Sequence, residues 1–267
     1  MTPVEVERGD GPVVLGLPHT GTWMPDDAME RLNPTGRALA DTDWHIDGLY
    51  KGLLPGATTV RATVHRYVID ANRDPAGDSL YPGQNTTGLC PLTDFDGREI
   101  HLRGKEPDAA ETARRLAAFH APYHAALAAE MERVRRLHGV AILYDCHSIR
   151  SEIPYLFDGR LPDLNIGTDG GRTSAPEIEA AVLHACAEAA DYTHVLNGRF
   201  RGGWTTRHYG RPAEGVHAIQ MEIAQATYME EAPPWTWAEH RAARLRPVLR
   251  TILTRLAALA PQLGAPR

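Results

Sequence analysis

The sequence predicts an α/β fold in which one mixed β-sheet is flanked by helices on both faces. Short apolar stretches typical of buried strands alternate along the chain with longer stretches whose apolar residues recur every three or four positions. The chain of 267 residues is long enough for one large domain, and no internal repeat or low-complexity tract divides it. We therefore expect a single domain over residues 1–267.

The first part of the chain combines strands with a long irregular segment. An apolar run at 12–17 predicts a buried strand that a proline ends, and helical spacing predicts a helix at 38–54. A strand pair is expected at 58–64 and 67–70. The segment 73–106 is rich in Gly, Pro, Asp and Thr and has no periodicity, so we expect it to cover an active site.

The middle of the chain contains the most regular predicted helix. It extends over 107–138, where apolar residues recur every three or four positions until His138-Gly139 ends it. A continuous apolar strand follows at 140–144. The next stretch, 149–173, is again irregular, and we expect it to close over the site together with 73–106.

The last part of the chain completes the alternation of strands and helices. A helix is expected at 175–189, strands at 193–196, 204–209 and 216–223, and a closing amphipathic helix at 236–259. In sheets of this kind, ligands bind at the carboxyl ends of the strands. We therefore look for functional residues at those ends.

Composition and charge exclude several classes of partner. The formal charge of −6 includes no basic block, so binding to nucleic acid or to an anionic membrane has no electrostatic support. Three cysteines, distant in sequence, form no disulfide framework and no CxxC pair, which fits a reducing compartment. The polar, acidic amino terminus is not a signal peptide, and no apolar run is long enough to span a bilayer. These features predict a cytoplasmic protein.

Two histidines, His19 and His147, follow predicted strands that are distant in sequence. A single histidine in a loop is more commonly a hydrogen-bonding residue than a metal ligand. A pair at equivalent strand ends suggests a metal, because catalytic zinc needs three protein ligands and one open position. Two histidines and one carboxylate would meet that need.

The carboxylate is expected from the segment DTDWHID at 41–47, near the start of the helix predicted at 38–54. Acidic residues also occur there because they cap a helix and complement its dipole. We favour Asp43 as the third ligand, with Asp41 and Asp47 as alternatives and His45 as a more distant one.

His120 and His124 are spaced by four residues on the long predicted helix. This spacing places two metal ligands on one helical face in the HExxH motif. The motif is absent here, because no glutamate follows His120. We therefore expect these two histidines to have a packing role.

Glu222 lies in the otherwise apolar strand at 216–223. Burying a carboxylate without a partner is costly, so the residue needs an ion pair or a chemical role. It would either pair with a neighbouring arginine or act as a general base that moves the proton of an attacking water.

Several arginines suggest an anionic substrate, because guanidinium groups bind carboxylates in a bidentate manner. Any one of them could instead form an ordinary salt bridge. The candidates are Arg66, Arg73 with its neighbour Asn72, Arg150, Arg199, Arg201, Arg207 and Arg211. No GxGxxG, Walker or GxSxG motif is present, so nucleotide binding and serine-hydrolase chemistry lack their motifs.

The sequence resembles the N-formylglutamate amidohydrolases, and the matching segments span most of the chain in order. They are PHTG (18–21), DTDWHID (41–47), RYVIDANRDP (66–75), SLYPGQNTTGLCP (79–91), DCHSIRS (145–151), FDGRLPDLNIGT (157–168), GRFRGGWTTRHYGRP (198–212) and HAIQMEIAQATYM (217–229). The resemblance implies a phosphorylase/hydrolase-like α/β fold related to the zinc carboxypeptidases.

The carboxypeptidase relationship also implies an order of site residues. The order in the carboxypeptidases is a metal histidine, an Asn-Arg pair, a His-Ser pair and a catalytic glutamate. This chain has His19, Asn72-Arg73, His147-Ser148 and Glu222 in the same order. Carboxypeptidases carry a glutamate ligand three residues after the first histidine, whereas this chain has Thr22. The missing ligand is the reason for looking to 41–47.

The implied activity is zinc-dependent hydrolysis of N-formyl-L-glutamate to formate and L-glutamate in histidine degradation, with Co²⁺ or Mn²⁺ as possible replacements for Zn²⁺. The expected metal ligands are His19, Asp43 and His147, and the expected catalytic residues are Glu222 and Arg73. The expected substrate-binding residues are Arg66, Asn72, Arg73, Arg150, Arg201 and Arg207. Alternatives are an amidase for another N-acyl amino acid or small peptide, a plain carboxypeptidase, and a metal-free binding protein of the same fold.

Overall fold

The computed structural model describes residues 2–78 and 83–264. Residues 79–82 of the predicted covering segment lie outside the described residues, as do Met1 and 265–267. Within the described part, no helix is both long and apolar enough to cross a membrane.

All the described strands belong to one mixed sheet. They are β1 (Val4–Glu7), β2 (Val13–Leu17), β3 (Thr58–Ala62), β4 (Ala141–Ile149), β5 (Leu164–Gly167), β6 (His194–Leu196) and β7 (Val216–Ala224). Their order across the sheet is β1-β3-β2-β4-β7-β5-β6. The pairs β1/β3 and β5/β7 are antiparallel and the other four pairs are parallel.

The helices lie between and after the strands. They are α1 (Asp26–Met29), α2 (Pro34–Arg37), α3 (Ile46–Tyr50), α4 (Ala109–Arg115), α5 (Ala121–His138), α6 (Pro176–Glu188), α7 (Trp204–Tyr209) and α8 (Glu239–Leu263). A π-helical turn, Leu116–His120, joins α4 to α5, and short 3-10 turns occur at Pro212–Glu214 and Gln225–Thr227.

The central strands β4 and β7 are buried along all nine residues of each. Alternate residues of β4 enter different cores: Ile142 packs in the core that contains α3, α6 and α8, whereas Leu143 packs in the core that contains α5. Helices therefore cover both faces, and the predicted mixed α/β sheet is confirmed.

Three predicted elements are wrong. Residues 204–209 form helix α7 instead of a strand, because Gly203 and Gly210 bound one helical turn that packs against β7. Residues 67–70 form no strand: Tyr67 and Val68 complete a turn in which Val68 donates to the carbonyl of His65, and 69–70 are irregular. In 38–54 only Ile46–Tyr50 is α-helical, because Leu39 and His45 have positive φ and interrupt the helical path.

Strand β4 continues five residues beyond its predicted end at 144. His147 and Glu222 consequently lie inside neighbouring parallel strands, where they are direct register partners. His19 follows β2, the strand on the other side of β4. The parallel pairing of β2, β4 and β7 thus brings three predicted site residues to the same edge of the sheet.

Candidate active site and metal centre

His19, Asp43 and His147 form a buried cluster in which one possible ligand atom of each lies within 4.8 Å of the others. The Oδ2 atom of Asp43 is 3.3 Å from Nδ1 of His147 and 3.8 Å from Nδ1 of His19. The two imidazole centroids are 4.9 Å apart. Three donors from three parts of the chain therefore converge on one point.

Backbone hydrogen bonds fix Asp43 between the two histidines. Its own N–H donates to the carbonyl oxygen of His19 at 3.1 Å. Its Oδ2 atom accepts from the backbone N–H of Ser148 at 3.0 Å. Asp43 is thereby tied to His19 itself and to the residue that follows His147.

The alternative ligands lie elsewhere. Asp41 accepts a hydrogen bond from the backbone N–H of Phe95 at 2.9 Å. The side chain of Asp47 is 49% exposed and lies 3.8 Å from Arg61. The Nε2 atom of His45 is 2.7 Å from a backbone oxygen. The described cluster contains Asp43 and none of these three.

A second carboxylate lies behind each histidine. Oδ1 of Asp70 is 2.7 Å from Nε2 of His19, and Oδ1 of Asp145 is 3.1 Å from Nε2 of His147. A carboxylate at Nε2 favours a proton there and leaves Nδ1 free to bind a metal. The sequence analysis missed both aspartates, although each lies two residues before a predicted site residue.

Asp70 is a buried carboxylate that remains ionised beside positive charges of the site. Burial alone would raise the pKa of its carboxyl, but the positive charges of Arg66 and Arg73 hold that pKa well below its usual range. The Arg66 guanidinium lies 2.8 Å from Oδ2 of Asp70 and 3.7 Å from Oδ1 of Asp43. The cluster therefore keeps ionised carboxylates although it is removed from water.

The donor set fits a zinc ion. Two imidazoles and one carboxylate are ligands that zinc prefers in catalytic sites. Ligand atoms about 2 Å from one ion are separated by roughly 3 to 4 Å, and Asp43 lies 3.3 and 3.8 Å from the two histidine Nδ1 atoms. The three side chains could hold a metal ion, and two of them, His19 and His147, also line the cavity described below.

Glu222 faces the same region from β7. Its buried carboxylate accepts a hydrogen bond from Nε2 of Gln220 at 3.1 Å. Burial, opposed in part by the charge of His147, raises the pKa of Glu222 to about 8. No arginine or lysine forms an ion pair with Glu222 among the residues in view, 2–78 and 83–264. The salt-bridge alternative thus has no partner there.

A cleft of about 600 Å³, partly open to solvent, lies over these groups. Its lining includes His19, His147 and Glu222, and also Arg66, Asn72, Arg73, Asn85, Thr86, Thr87, Phe95, Leu156, Arg199, Phe200, Gly203 and Gln220. The mixture of guanidinium, amide and aromatic groups suits a small, polar anion.

The structure brings Arg66, Asn72 and Arg73 to this cleft. Arg66 is buried against Asp70, with its guanidinium 4.8 Å from the Phe95 ring centroid, so most of its charge is already offset. Arg73 is partly exposed and donates to the backbone and hydroxyl oxygens of Thr87 at 2.8 and 3.0 Å. Its guanidinium is therefore held in place at the cleft wall.

Helix α7 fixes the side chain of Asn72. The backbone N–H of Thr205 donates to Oδ1 of Asn72 at 2.8 Å, which turns Nδ2 toward His147 at 3.2 Å. Gly203 allows this approach, because a Cβ atom there would lie 2.2 Å from Nδ2 of Asn72. The wrongly predicted strand at 204–209 is thus the helix that supports the site.

Three predicted substrate-binding arginines do not line the cleft as the described residues define it. Arg150 lies 2.9 Å from Asp96, Arg207 lies 3.4 Å from Asp169, and the backbone oxygen of Arg201 accepts from Asp169. Arg199 from the same glycine-rich segment lines the cleft instead. It donates to the backbone oxygen of Leu156 at 3.0 Å.

Comparison with known proteins agrees with this geometry. A family model described as N-formylglutamate amidohydrolase matches residues 11–229. The chain is 46% identical over 253 residues to an N-formylglutamate deformylase of Pseudomonas aeruginosa, which covers 94% of this chain and 95% of that protein. It is 45% identical over 252 residues to an N-formylglutamate deformylase of Pseudomonas putida, covering 94% of each.

Solved structures show the same fold. The crystal structure of an N-formylglutamate amidohydrolase from Ralstonia eutropha JMP134 superposes with a TM-score of 0.81 at 28% identity, over 98% of this chain and 99% of that one. A protein from Agrobacterium tumefaciens shares the fold with a TM-score of 0.72 at 20% identity, over 97% and 96% of the two chains. The match to the family model and the identity to two curated relatives agree: this chain belongs to the N-formylglutamate amidohydrolase family.

Proposed function

We propose that this protein is a zinc-dependent amidase that hydrolyses N-formyl-L-glutamate to L-glutamate and formate. The observation that carries the proposal is the convergence of His19, Asp43 and His147 beside Glu222 in an arginine-lined cleft. The names of the two Pseudomonas relatives support the substrate. The family resemblance alone suggests a place in histidine degradation in the cytoplasm.

His19, Asp43 and His147 would hold the ion, which when bound would polarise the formyl oxygen and lower the pKa of water. Asp70 and Asp145 lie 2.7 and 3.1 Å from the Nε2 atoms of the two histidines and would favour a proton there, which would leave both Nδ1 atoms available as ligands. Cobalt or manganese could take the same donors.

Glu222 would move the proton. Its carboxylate accepts the proton of the attacking water and donates it to the amide nitrogen, so that glutamate leaves with a neutral amino group. Burial raises the pKa of Glu222 to about 8 in the protein alone, and a cation nearby would lower it toward neutrality. A group with a pKa near the working pH can both take and return a proton.

The arginines would bind the two carboxylates of the substrate. We assign one carboxylate to Arg73 with Asn72 and the other to Arg199, because these three polar groups line the cleft. Arg66 already pairs with Asp70, so we assign it to the electrostatic support of the ligands. A substrate that lacks one carboxylate would leave one arginine without its anion.

The test measures the free amino acid that zinc-loaded protein releases from N-formylglutamate, N-formylaspartate and N-acetylglutamate, with formate or acetate as the second product. We expect N-formylglutamate to have the largest kcat/KM, with about one zinc per chain required for activity. Turnover of another N-acyl amino acid alone would favour a related amidase. No turnover of any substrate after metal loading would favour a binding protein of the same fold and overturn the proposal.

A further inference from the structure

His120 and His124 hold the backbone on both sides of Asn72. The Nε2 atom of His124 is 2.7 Å from the backbone oxygen of Ala71, and Nε2 of His120 is 3.1 Å from that of Arg73. A carbonyl oxygen only accepts hydrogen bonds, so each imidazole donates from Nε2. Two residues of one helical face thus secure a three-residue segment that borders the cleft.

Both imidazole rings can donate a hydrogen bond throughout the physiological pH range. Burial lowers the pKa of His120, and it lowers the pKa of His124 to about 3, so both imidazoles stay neutral at physiological pH. The Nδ1 atom of His124 lies 3.2 Å from the Tyr209 hydroxyl, which can donate to it. His120 ends the π-helical turn Leu116–His120, and such turns commonly occur at functional sites.

The held segment carries two groups of the proposed substrate site. The Asn72 side chain lies 3.2 Å from His147, and Arg73 lines the cleft beside Thr87. Loss of either imidazole N–H would leave a carbonyl of this segment without its donor. The segment could then shift, and a displacement of about 1 Å in a binding group is enough to weaken binding.

We propose that His120 and His124 are positioning residues for substrate binding, because they fix the Ala71 and Arg73 carbonyls and so place Asn72 and Arg73 at the cleft. This role goes beyond the packing predicted from the sequence. The inference rests on the proposed function in one respect: the substrate must carry a carboxylate that Arg73 binds.

The test compares variants that lose the N–H donor with one that retains it. His120→Phe and His124→Phe keep a ring but lose the donor, whereas His124→Gln retains an N–H at a similar reach. His208→Phe is the matched control. His208 is exposed and stacks 4.3 Å from Trp204, whose ring also contacts His120 and His124, and it has no hydrogen bond to 71–73 among the described residues.

We expect His120→Phe and His124→Phe each to raise the KM for N-formylglutamate about tenfold, with kcat and zinc content within about twofold of wild type. His124→Gln should restore most of the loss, and His208→Phe should leave the KM unchanged. An unchanged KM in both Phe variants would overturn the inference. A fall in kcat and zinc content that accompanies the rise in KM and that His124→Gln does not restore would also overturn it, because that pattern indicates a general structural role.

A second measurement does not depend on the substrate. Amide hydrogen exchange over 70–75 in zinc-loaded protein should be faster in His120→Phe and His124→Phe than in wild type and in His208→Phe. If wild type fails to release formate while this exchange pattern is seen, the proposed function fails and the positioning role stands. Equal exchange in all four proteins overturns the positioning role. If His124→Phe does not fold, His120→Phe decides both measurements.

Discussion

Gln220 donates a hydrogen bond of 3.1 Å from Nε2 to Oε2 of Glu222, two residues further along the same buried strand. The Oε1 atom of Gln220 accepts from the backbone N–H of Gly203 at 2.7 Å, so the amide orientation is fixed at both ends. This arrangement engages one carboxylate oxygen and leaves the other to exchange a proton. Neither end of Gln220 is charged, so this hydrogen bond leaves the raised pKa of Glu222 to be set chiefly by burial.

Glu222→Gln should abolish proton transfer and preserve the metal site. We expect zinc content equal to wild type and a kcat for N-formylglutamate reduced by roughly 10²- to 10⁴-fold. Discontinuous formate assays measure kcat, and metal analysis of the same preparation measures zinc content. A variant within tenfold of wild-type kcat would remove Glu222 from the role of general base.

Asp43→Ala should weaken zinc binding strongly, whereas Asp47→Ala should not. Asp43 lies 3.3 Å from His147, but Asp47 is an exposed residue near Arg61 in the same segment. Competition with a fluorescent chelator measures the zinc Kd of both variants. Equal zinc affinities would show that the third ligand is not Asp43.

Asp145→Asn should weaken zinc binding by about 10- to 100-fold, because the amide no longer favours the His147 tautomer that exposes Nδ1. Asp70→Asn should do the same through His19, with an additional loss of stability since Arg66 loses its buried partner. Asp47→Asn is the exposed control for both variants. An unchanged zinc Kd in Asp145→Asn and Asp70→Asn would contradict the role of these carboxylates.

Arg199→Ala and Arg150→Ala separate two candidate anchors for a substrate carboxylate. Arg199 lines the cleft, whereas Arg150 lies 2.9 Å from Asp96 away from it. We expect the KM for N-formylglutamate to rise at least about tenfold in the first variant and less than about twofold in the second. A larger effect of Arg150→Ala would return this role to the arginine favoured by the sequence alone.

The stability of metal-free protein should depend on pH through Glu222. Burial raises the pKa of the folded carboxyl from 4.5 to about 8. Between those values the folded state retains a proton that the unfolded state has released, so stability falls as the pH rises. The gain in melting temperature of Glu222→Gln over wild type, measured in EDTA, should therefore grow from about pH 5 to about pH 8. A constant difference would contradict the raised pKa.

Periodicity predicted the central strands and the long helices because these segments are buried over many residues. The continuous apolar runs that became β4 and β7 lie in the middle of the sheet, and the spacing in α5 follows its core face. The edge strand β1 and the short strand β5 were missed, since β1 is largely exposed and β5 has four residues. Short or exposed elements leave a weak pattern.

The site was predictable only in part. His19, Asp43, His147 and Glu222 were named from the sequence and the structure places them together, while their roles remain proposals. Arg199 could not be told from Arg150 by residue type, because cleft access depends on the path of irregular segments. Helix α7 was taken for a strand, and its support of Asn72 comes from a tertiary contact that no local pattern reveals.

The three candidate ligands come from segments that are distant along the chain and meet only when β2 and β4 have paired in parallel. An unfolded chain therefore offers no preformed site, and zinc should bind after the slow, long-range step of folding. By mass action the ion would then stabilise the native state selectively. Zinc supply would thus set the lifetime of the folded protein against proteolysis as well as its catalytic rate.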